Sequence, residues 1–305
     1  MYDDDTIAAM RPRMFSIAYR MLGSVSEAED VVQEAFLRQQ RALADGVEIQ
    51  SPAAYLSTVV TRLAIDELKS ARAQRETYVG EWLPEPLLTD KSAADPAAKA
   101  EQADSLSWAF LLLLERLSPV ERAVFLLHDV FGYGFDEIAE IVGKNEANCR
   151  QLASRARRHV EEGKPRFEAS RRKRNELAGR FFAAMSDGNL DGLVELLAAD
   201  VAVYGDGGGK VPAWTRPITG VDHVGRLLIG LGRQVREYGA RIEMHEVNGQ
   251  PGATILDAEG DLVSVLSLEI VDDRVRRVRG VINPDKLHHL GPVADVRAAL
   301  QRGPQ

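Results

Sequence analysis

The stretch from residue 117 to residue 160 constrains the fold more than any other part of the chain, because its caps and apolar spacing predict helices in a fixed order. Ser118 and Glu121 form a capping box with a proline at the first helical position, which predicts a helix start. Two glycines end that helix, and Gly143 suits a tight left-handed turn after the next one. Asn145 then caps a final helix.

The final helix has one apolar and one basic face. Its apolar stripe, predicted to be buried, consists of Cys149, Leu152, Ala153, Ala156 and Val160. The opposite face and its flanks consist of Arg150, Gln151, Ser154, Arg155, Arg157 and Arg158. Two helices that cross around a short turn, the second with exposed donors, are typical of a helix-turn-helix whose last helix enters the major groove of DNA. A solvated helical hairpin in an unrelated bundle is the alternative.

The charge distribution favours nucleic acid, although the net charge of the 305 residues is −8. Between Glu146 and Arg174 there are ten Lys or Arg residues and four Glu residues, so this segment is positive and the remainder is negative. The local potential, rather than the net charge, governs attraction to DNA phosphates.

Several classes of protein are excluded by composition. The single cysteine, Cys149, excludes an internal disulfide and a cysteine-cluster metal site. No apolar run approaches the roughly 18 residues of a membrane span. The start of the chain also lacks the basic-then-apolar order of a signal peptide. We therefore expect a cytoplasmic protein without a metal, a cofactor or a membrane contact.

Residues 6 to 75 are predicted to form three helices with short turns. Ser26 and Glu29 predict a second capping box at the start of the second helix. The polar face of that helix contains Asp30, Gln33 and Glu34. Such a face is either a solvated surface or a contact for a partner.

The third helix combines an apolar stripe with a polar face of mixed charge. The polar face contains Thr61, Arg62, Asp66, Lys69 and Arg72. A face of this kind is an ordinary surface, or it follows a nucleic-acid backbone and holds an unstacked base. The residues alone leave both interpretations open.

A linker at about residues 76 to 98 contains the motif WLPEP, which is unusually apolar for a linker. Its two prolines hold it extended, so we expect Trp82 and Leu83 to dock on another domain. After residue 174 the pattern changes to helices followed by alternating strands. This change predicts an α+β domain in which a curved antiparallel sheet packs on helices.

Three motifs, in this order, resemble conserved regions 2 and 4 of the extracytoplasmic-function (ECF) sigma factors of bacterial RNA polymerase. They are FSIAYRMLGSVSEAEDVVQEAFLR, YLSTVVTRLAIDELKSARAQRE, and LSPVERAVFLL with the YGFDEIAEIVGKNEANCRQLASRARR that follows it. The tail resembles a SnoaL-like domain of the cone-shaped NTF2-like fold. WLPEP, DGGGK and NPDKL together resemble the sigma-factor group that carries this extension.

The resemblance implies a multidomain protein, with two all-α sigma domains (a helical bundle and a helix-turn-helix) followed by an α+β SnoaL-like cone domain. The implied boundaries are 1–76 for region 2, 77–104 for the linker with WLPEP, 105–165 for region 4, 166–174 for a basic linker and 175–305 for the SnoaL-like domain.

The resemblance also assigns roles to the polar faces. Binding of core polymerase, through the β′ coiled coil and the β subunit, is implied for Asp30, Gln33 and Glu34. Recognition of the melted −10 element is implied for Thr61, Arg62, Asp66, Lys69 and Arg72. Many relatives have Asn at the position of Arg62. Readout of the −35 element is implied for Gln151, Ser154 and Arg155, with Arg150, Arg157 and Arg158 nearer the phosphates.

The tail is expected to modulate the sigma domains in cis, because tethering supplies a high effective concentration. The residues implied in this regulation are Trp82, Leu83, Pro84, Asp206, Gly207, Gly208, Gly209, Lys210, Asn283, Pro284, Asp285 and Lys286. The DGGGK segment is not a phosphate-binding loop, because Val211 stands where that motif needs Ser or Thr.

We therefore predict a non-enzymatic sigma factor that binds core RNA polymerase and promoter DNA and directs promoter-specific transcription initiation. The first alternative is a conventional DNA-binding repressor or activator. The second is a DNA-binding regulator fused to a cyclase- or isomerase-like enzyme, or to a domain that senses an unknown small ligand. Such an enzyme would use Asp206 with His223 or His245, although a lone histidine is more often structural. The oligomeric state stays open.

Overall fold

A computed structural model of the chain describes residues 4–75, 77–89, 105–162 and 170–296. The chain forms two compact units. The first contains Met1–Thr77 and Phe110–Lys164, and the second contains Tyr78–Ala109 and Pro165–Gln305. The segment predicted as a linker at 77–104 therefore groups with the C-terminal unit where it is described.

Three helices form the N-terminal part of the first unit, as the apolar spacing predicts. They are α1 (Asp4–Leu22), α2 (Val25–Ala44) and α3 (Pro52–Arg75). The capping box predicted at Ser26 is wrong. Gly23 ends α1 with φ +71°, and Ser24 caps α2 by accepting the amide of Glu27 at 3.2 Å. Ser26 thus already lies inside the helix, because the chain reverses within two residues.

The helix-turn-helix module follows the predicted caps. Its elements are α4 (Trp108–Leu114), α5 (Pro119–Phe125), a π-helical turn (Leu126–Val130), α6 (Phe135–Val142) and α7 (Glu146–Glu161). The capping box at Ser118 is present. Gly143 has φ +66°, and the side chain of Asn145 accepts the amide of Asn148 at 2.8 Å. The predicted apolar stripe of α7 is buried.

The second unit packs three helices on one sheet. The helices are α8 (Arg171–Asp187), α9 (Leu190–Leu196) and α10 (Val221–Glu237). The strands are β1 (Leu197–Asp206), β2 (Ile218–Thr219), β3 (Arg241–Val247), β4 (Gln250–Leu256), β5 (Leu262–Val271) and β6 (Arg274–Val281), in the order β2-β1-β6-β5-β4-β3. The core between helices and sheet contains Phe181, Phe182 and Met185. This is the α+β arrangement that the sequence predicts.

Two details of the second unit differ from the predictions. Strand β1 pairs with β6 in parallel, whereas an antiparallel sheet was expected. Alternating apolar residues identify strands but not the direction in which they pair. The basic run expected as part of a linker at 166–174 instead forms the first turn of α8 from Arg171 onward. In that turn Arg171 pairs with Glu246 of β3, and Lys173 pairs with Asp273 of the β5–β6 turn.

Across the ranges described above, no helix is both long enough and apolar enough to span a bilayer.

Candidate functional site

The outward face of α7 is open to solvent. Gln151, Ser154, Arg155 and Arg158 are all exposed. Arg155 lies 3.2 Å from the Glu121 carboxylate, but its side chain is 59% exposed, so the pair is weak and Arg155 is available to a ligand. Burial opposes ionisation of Glu121, yet hydrogen bonds from Ser118 and the charge of Arg155 outweigh it and lower the pKa of the carboxyl.

The arginines on the flanks of this face are held by the module itself. Arg150 pairs with Glu146 at 2.6 Å, and its guanidinium lies 5.1 Å from the ring centre of Phe135. The Nε of Arg157 donates to Asp129 at 2.6 Å. These contacts orient the two guanidinium groups along the edges of α7, beside the face that carries Gln151 and Arg155.

A second polar face lies on α2. Asp30 and Gln33 are exposed, whereas Glu34 is held by Arg38, whose Nε donates to it at 2.7 Å. That hydrogen bond lowers the pKa of the Glu34 carboxyl. Leu37 lies one turn further along the same face and is 38% exposed. The face is therefore acidic with an apolar edge, and sequence reasoning missed Leu37 because apolar residues at helical spacing usually belong to the core.

The predicted DNA face on α3 is divided. Asp66 and Lys69 are exposed and pair with each other at 2.8 Å. Thr61 is fully buried, and its hydroxyl has no hydrogen-bond partner among the described residues. The guanidinium of Arg62 donates to main-chain carbonyls of α6. The side chain of Arg72 lies outside the described residues.

In the second unit, a buried carboxylate joins the three tail-associated motifs. Asp206 is fully buried and accepts hydrogen bonds from the Tyr78 hydroxyl at 2.5 Å, the Leu83 amide at 2.8 Å and the Gly208 amide at 3.1 Å. Lys286 donates to the same carboxylate at 2.7 Å. The structure thus brings together residues of DGGGK, WLPEP and NPDKL that are up to 203 positions apart.

Lys286 is the centre of this cluster. Its ammonium donates to the Leu83 carbonyl at 2.5 Å and lies 4.9 Å from the ring centre of Tyr78 and 4.5 Å from that of Trp82. Two aromatic faces and a carboxylate compensate the loss of water around the cation. Burial and the Asp206 carboxylate raise the pKa of the Tyr78 hydroxyl, which keeps it a donor. Sequence reasoning missed Tyr78, since it lies outside the WLPEP motif.

The glycines of DGGGK permit a close approach of backbone and neighbours. Gly208 and Gly209 have φ values of +58° and +70°. A Cβ on Gly208 would lie 3.1 Å from the Tyr78 hydroxyl, and one on Gly209 would lie 3.2 Å from the Cβ of Val79. Lys210 points away from the buried cluster and pairs with exposed Asp285.

The chain after WLPEP continues as an extended strap, defined here as residues 78–89. Leu87 and Asn248 exchange two hydrogen bonds of 2.8 Å, one to the Asn248 side chain and one to the Leu87 carbonyl. The Thr89 amide donates to the Glu246 carbonyl at 2.8 Å. The Nε2 of His289 lies 2.7 Å from the Pro86 carbonyl. Main-chain hydrogen bonds therefore fix the strap along the end of β3 and the β3–β4 turn.

Comparison with known proteins identifies the family. Residues 6–74 match the model of Sigma-70 region 2, and residues 107–160 match that of Sigma-70, region 4. The chain is 40% identical over 289 residues to the ECF RNA polymerase sigma factor SigJ of Mycobacterium tuberculosis, covering 91% of each chain. The chain belongs to the ECF RNA polymerase sigma factors. Its regions 2 and 4 are the helical bundle and the helix-turn-helix module of the first unit.

The likeness of this sigma factor to its relatives extends through the tail. It is 33% identical over 285 residues to the probable ECF RNA polymerase sigma factor SigI of Mycobacterium tuberculosis, covering 92% of this chain and 93% of that one. The crystal structure of the Mycobacterium tuberculosis SigJ protein superposes with a TM-score of 0.74 at 38% identity, covering 96% of this chain and all of that one. The two sigma regions and the α+β unit are therefore common to this chain and the SigJ crystal structure.

The tail of this sigma factor does not bring its candidate catalytic groups together. The hydrogen-bond partners of the Asp206 carboxylate belong to the strap, to its own loop and to Lys286, and no described histidine is among them. His223 lies exposed at the start of α10, with its Nδ1 3.4 Å from the Thr219 carbonyl. His245 lies on β3, at the other edge of the sheet from β1. The Asp206 carboxylate thus binds the strap and Lys286.

Proposed function

We propose that this sigma factor binds core RNA polymerase and directs transcription initiation at promoters that it recognises through α7 and α3, while its α+β unit modulates this activity in cis. The observation that carries the proposal is the α7 face, where Gln151, Ser154 and Arg155 are exposed on a helix whose other side is core. A recognition helix needs this combination of a rigid base and free donors.

We assign the residues of α7 to two tasks. Gln151 and Arg155 offer bidentate donors suited to adenine or guanine edges in the major groove of a −35 element, and Ser154 lies between them. Arg150 and Arg157, oriented by Glu146 and Asp129, lie on the flanks where phosphates would pass.

Core polymerase is assigned to the α2 face. Asp30 and Gln33 supply exposed acceptors and Leu37 an exposed apolar side chain, so this face offers both polar and apolar contacts to the β′ coiled coil that the family resemblance implies as its partner. Charge on this face would accelerate association more than it would raise affinity.

Modulation in cis is supported by the strap. The segment that follows region 2 in the chain is bound by Asp206, Lys286 and Asn248 of the α+β unit. Any movement of that unit would therefore act directly on the connection between the two sigma regions.

The proposed function is tested by run-off transcription. We expect a transcript from a cognate promoter only when the chain and core polymerase are both present, since α7 and α3 are proposed to recognise DNA and not to synthesise RNA. A band shift on duplex promoter without core enzyme should be weak. Tight duplex binding by the chain alone, without a transcript on adding core enzyme, would instead identify a conventional repressor or activator.

Replacement of Arg155 by alanine should reduce discrimination between cognate and mutated −35 sequences by about 1 to 3 kcal/mol, the value of one bidentate base contact. Competition binding by the holoenzyme measures it. Arg158→Ala is the matched control, since Arg158 is also exposed and lies on the same helix. We expect that control to weaken all sequences alike. Equal weakening by both variants would assign Arg155 to phosphate.

A further inference from the structure

Two arginines exchange helix-capping contacts between the bundle and the helix-turn-helix module within the first unit. Arg62 of the bundle donates its Nε to the Ile141 carbonyl and its Nη2 to the Glu140 carbonyl, both at 2.9 Å. Arg122 of the module donates its Nη1 to the Met21 carbonyl at 2.6 Å. The accepting carbonyls lie in the last turns of α6 and α1. The bundle and the module thus each cap a helix of the other.

These contacts have a specific physical basis. The last carbonyls of a helix lack donors within the helix and carry partial negative charge. A guanidinium is a rigid fork of donors, so Arg62 reaches two adjacent carbonyls at once. Arg62 and Arg122 thus supply external donors to carbonyls near the ends of α6 and α1.

The surrounding contacts are also polar. The Ser57 and Tyr133 hydroxyls lie 2.7 Å apart. The guanidinium of Arg13 lies 5.1 Å from the ring centre of Tyr133, and that of Arg20 lies 5.6 Å from the ring centre of Phe131. Where opening exposes such polar groups, water or DNA can replace the lost partner, so the Ser57–Tyr133 hydrogen bond contributes little net free energy.

The contacts also occupy the surface assigned to melted DNA. Arg62 donates to α6, and Thr61 is buried with an unpaired hydroxyl, as described above. An Asn side chain at position 62 would be too short to span both carbonyls. The length and the donors of Arg62 therefore suit its contact with α6 as well as a contact with DNA.

We propose that Arg62 and Arg122 form a clasp that holds the bundle and the module closed in the free chain, and that single-stranded DNA opens it by competing for Arg62. The first half stands on the contacts alone, and the second rests on the proposed function. Closure lowers the apparent affinity for DNA by the fraction of chains that are open. Binding of DNA and separation of the bundle from the module are then thermodynamically coupled.

The clasp is tested by distance measurement in the full chain. Spin labels at Gln40→Cys and Lys144→Cys, both exposed, report the separation of bundle and module, while native Cys149 is buried and resists labelling. We expect a single short distance in the free chain and a longer population in Arg62→Asn. Lys69→Asn is the matched control, because it removes the same charge from α3 without a contact to the module, and it should keep the short distance.

Three outcomes would contradict the clasp. If Arg62→Asn keeps the wild-type distance, the arginine does not hold the contact. Equal widening by Arg62→Asn and Lys69→Asn would make charge, rather than capping, the cause. A long distance in the wild-type free chain would show that no clasp exists.

The competition is tested separately with a mixed-sequence single-stranded DNA oligonucleotide. It should populate the long distance in the wild-type chain. Tyr133→Phe, which loses only the Ser57 hydrogen bond and lies outside the DNA face, should bind this DNA about two- to tenfold more tightly. DNA that binds without lengthening the distance overturns the competition. If neither the wild-type chain nor the variants bind DNA, the proposed DNA role of α3 is wrong. The clasp itself is then judged by the spin-label distances alone.

Discussion

Replacing Asp206 by alanine should lower the free energy of unfolding of the second unit by about 3 to 5 kcal/mol, the cost of leaving one charge of a buried pair alone. Asp206 is fully buried and Lys286 is 9% exposed, so water does not screen the uncompensated ammonium. The Tyr78 hydroxyl and the Leu83 amide would lose their acceptor as well.

Tryptophan fluorescence in a denaturant titration measures this effect. Trp82 and Trp214 lie within the second unit, and Trp108, the first residue of α4, lies at its boundary with the first unit. The double variant Asp206→Asn with Lys286→Met is the control, because it removes both charges and should recover most of the loss. If Asp206→Ala unfolds like the wild type, or if the double variant is as unstable as the single one, the pair does not hold the strap.

The same variant addresses modulation in cis. A released strap should change run-off transcription by the holoenzyme, and Trp82→Ala should change it in the same direction, since both act on the Lys286 cluster. Equal transcription by wild type, Asp206→Ala and Trp82→Ala, with the strap demonstrably released in hydrogen exchange, would separate the tail from regulation.

Replacing Arg122 by alanine should lower the free energy of unfolding of the first unit by about 3 to 5 kcal/mol. Arg122 is 2% exposed. Besides the Met21 carbonyl, it binds the Leu114 carbonyl at 3.0 Å and the Glu115 carboxylate at 2.7 Å. Alanine would leave all three acceptors without this donor and would also create a cavity.

Hydrogen exchange resolves this loss by region. We expect protection to fall in α1, α4 and α5 well before it falls in the strands of the second unit. Arg116→Ala is the control, because Arg116 is exposed three residues before the start of α5 and should change stability by no more than about 0.5 kcal/mol. An Arg122→Ala chain with wild-type protection in α1 would show that Met21 needs no external cap.

The fold was predictable where local chemistry decides it. The Ser118 capping box, the Gly143 turn and the Asn145 cap follow from interactions within four residues, and the structure confirms each of them. The Ser26 box failed because two serines compete for one cap, and the reversal after α1 selects Ser24. The α7 face was predictable for the same reason, since helical periodicity separates Gln151 and Arg155 from the core.

The candidate sites outside α7 were predictable only as motifs. The residues of WLPEP, DGGGK and NPDKL were identified, but not their partners, because Tyr78, Asn248 and His289 carry no signal in their own neighbourhoods. Similarly, nothing local to Arg62 indicates that its donors reach α6 rather than solvent or DNA.

By itself, the sequence determined where helices and strands begin, which faces are apolar and to which family the motifs point, because these depend on contacts a few residues apart. Only the tertiary structure decided that Asp206 pairs with Lys286, 80 positions away, and that Arg62 caps a helix 78 positions away. The pairing of buried charges and of helix ends is set by which surfaces meet. A charged side chain has many possible partners along a chain, and the packing of helices and strands decides which of them it contacts.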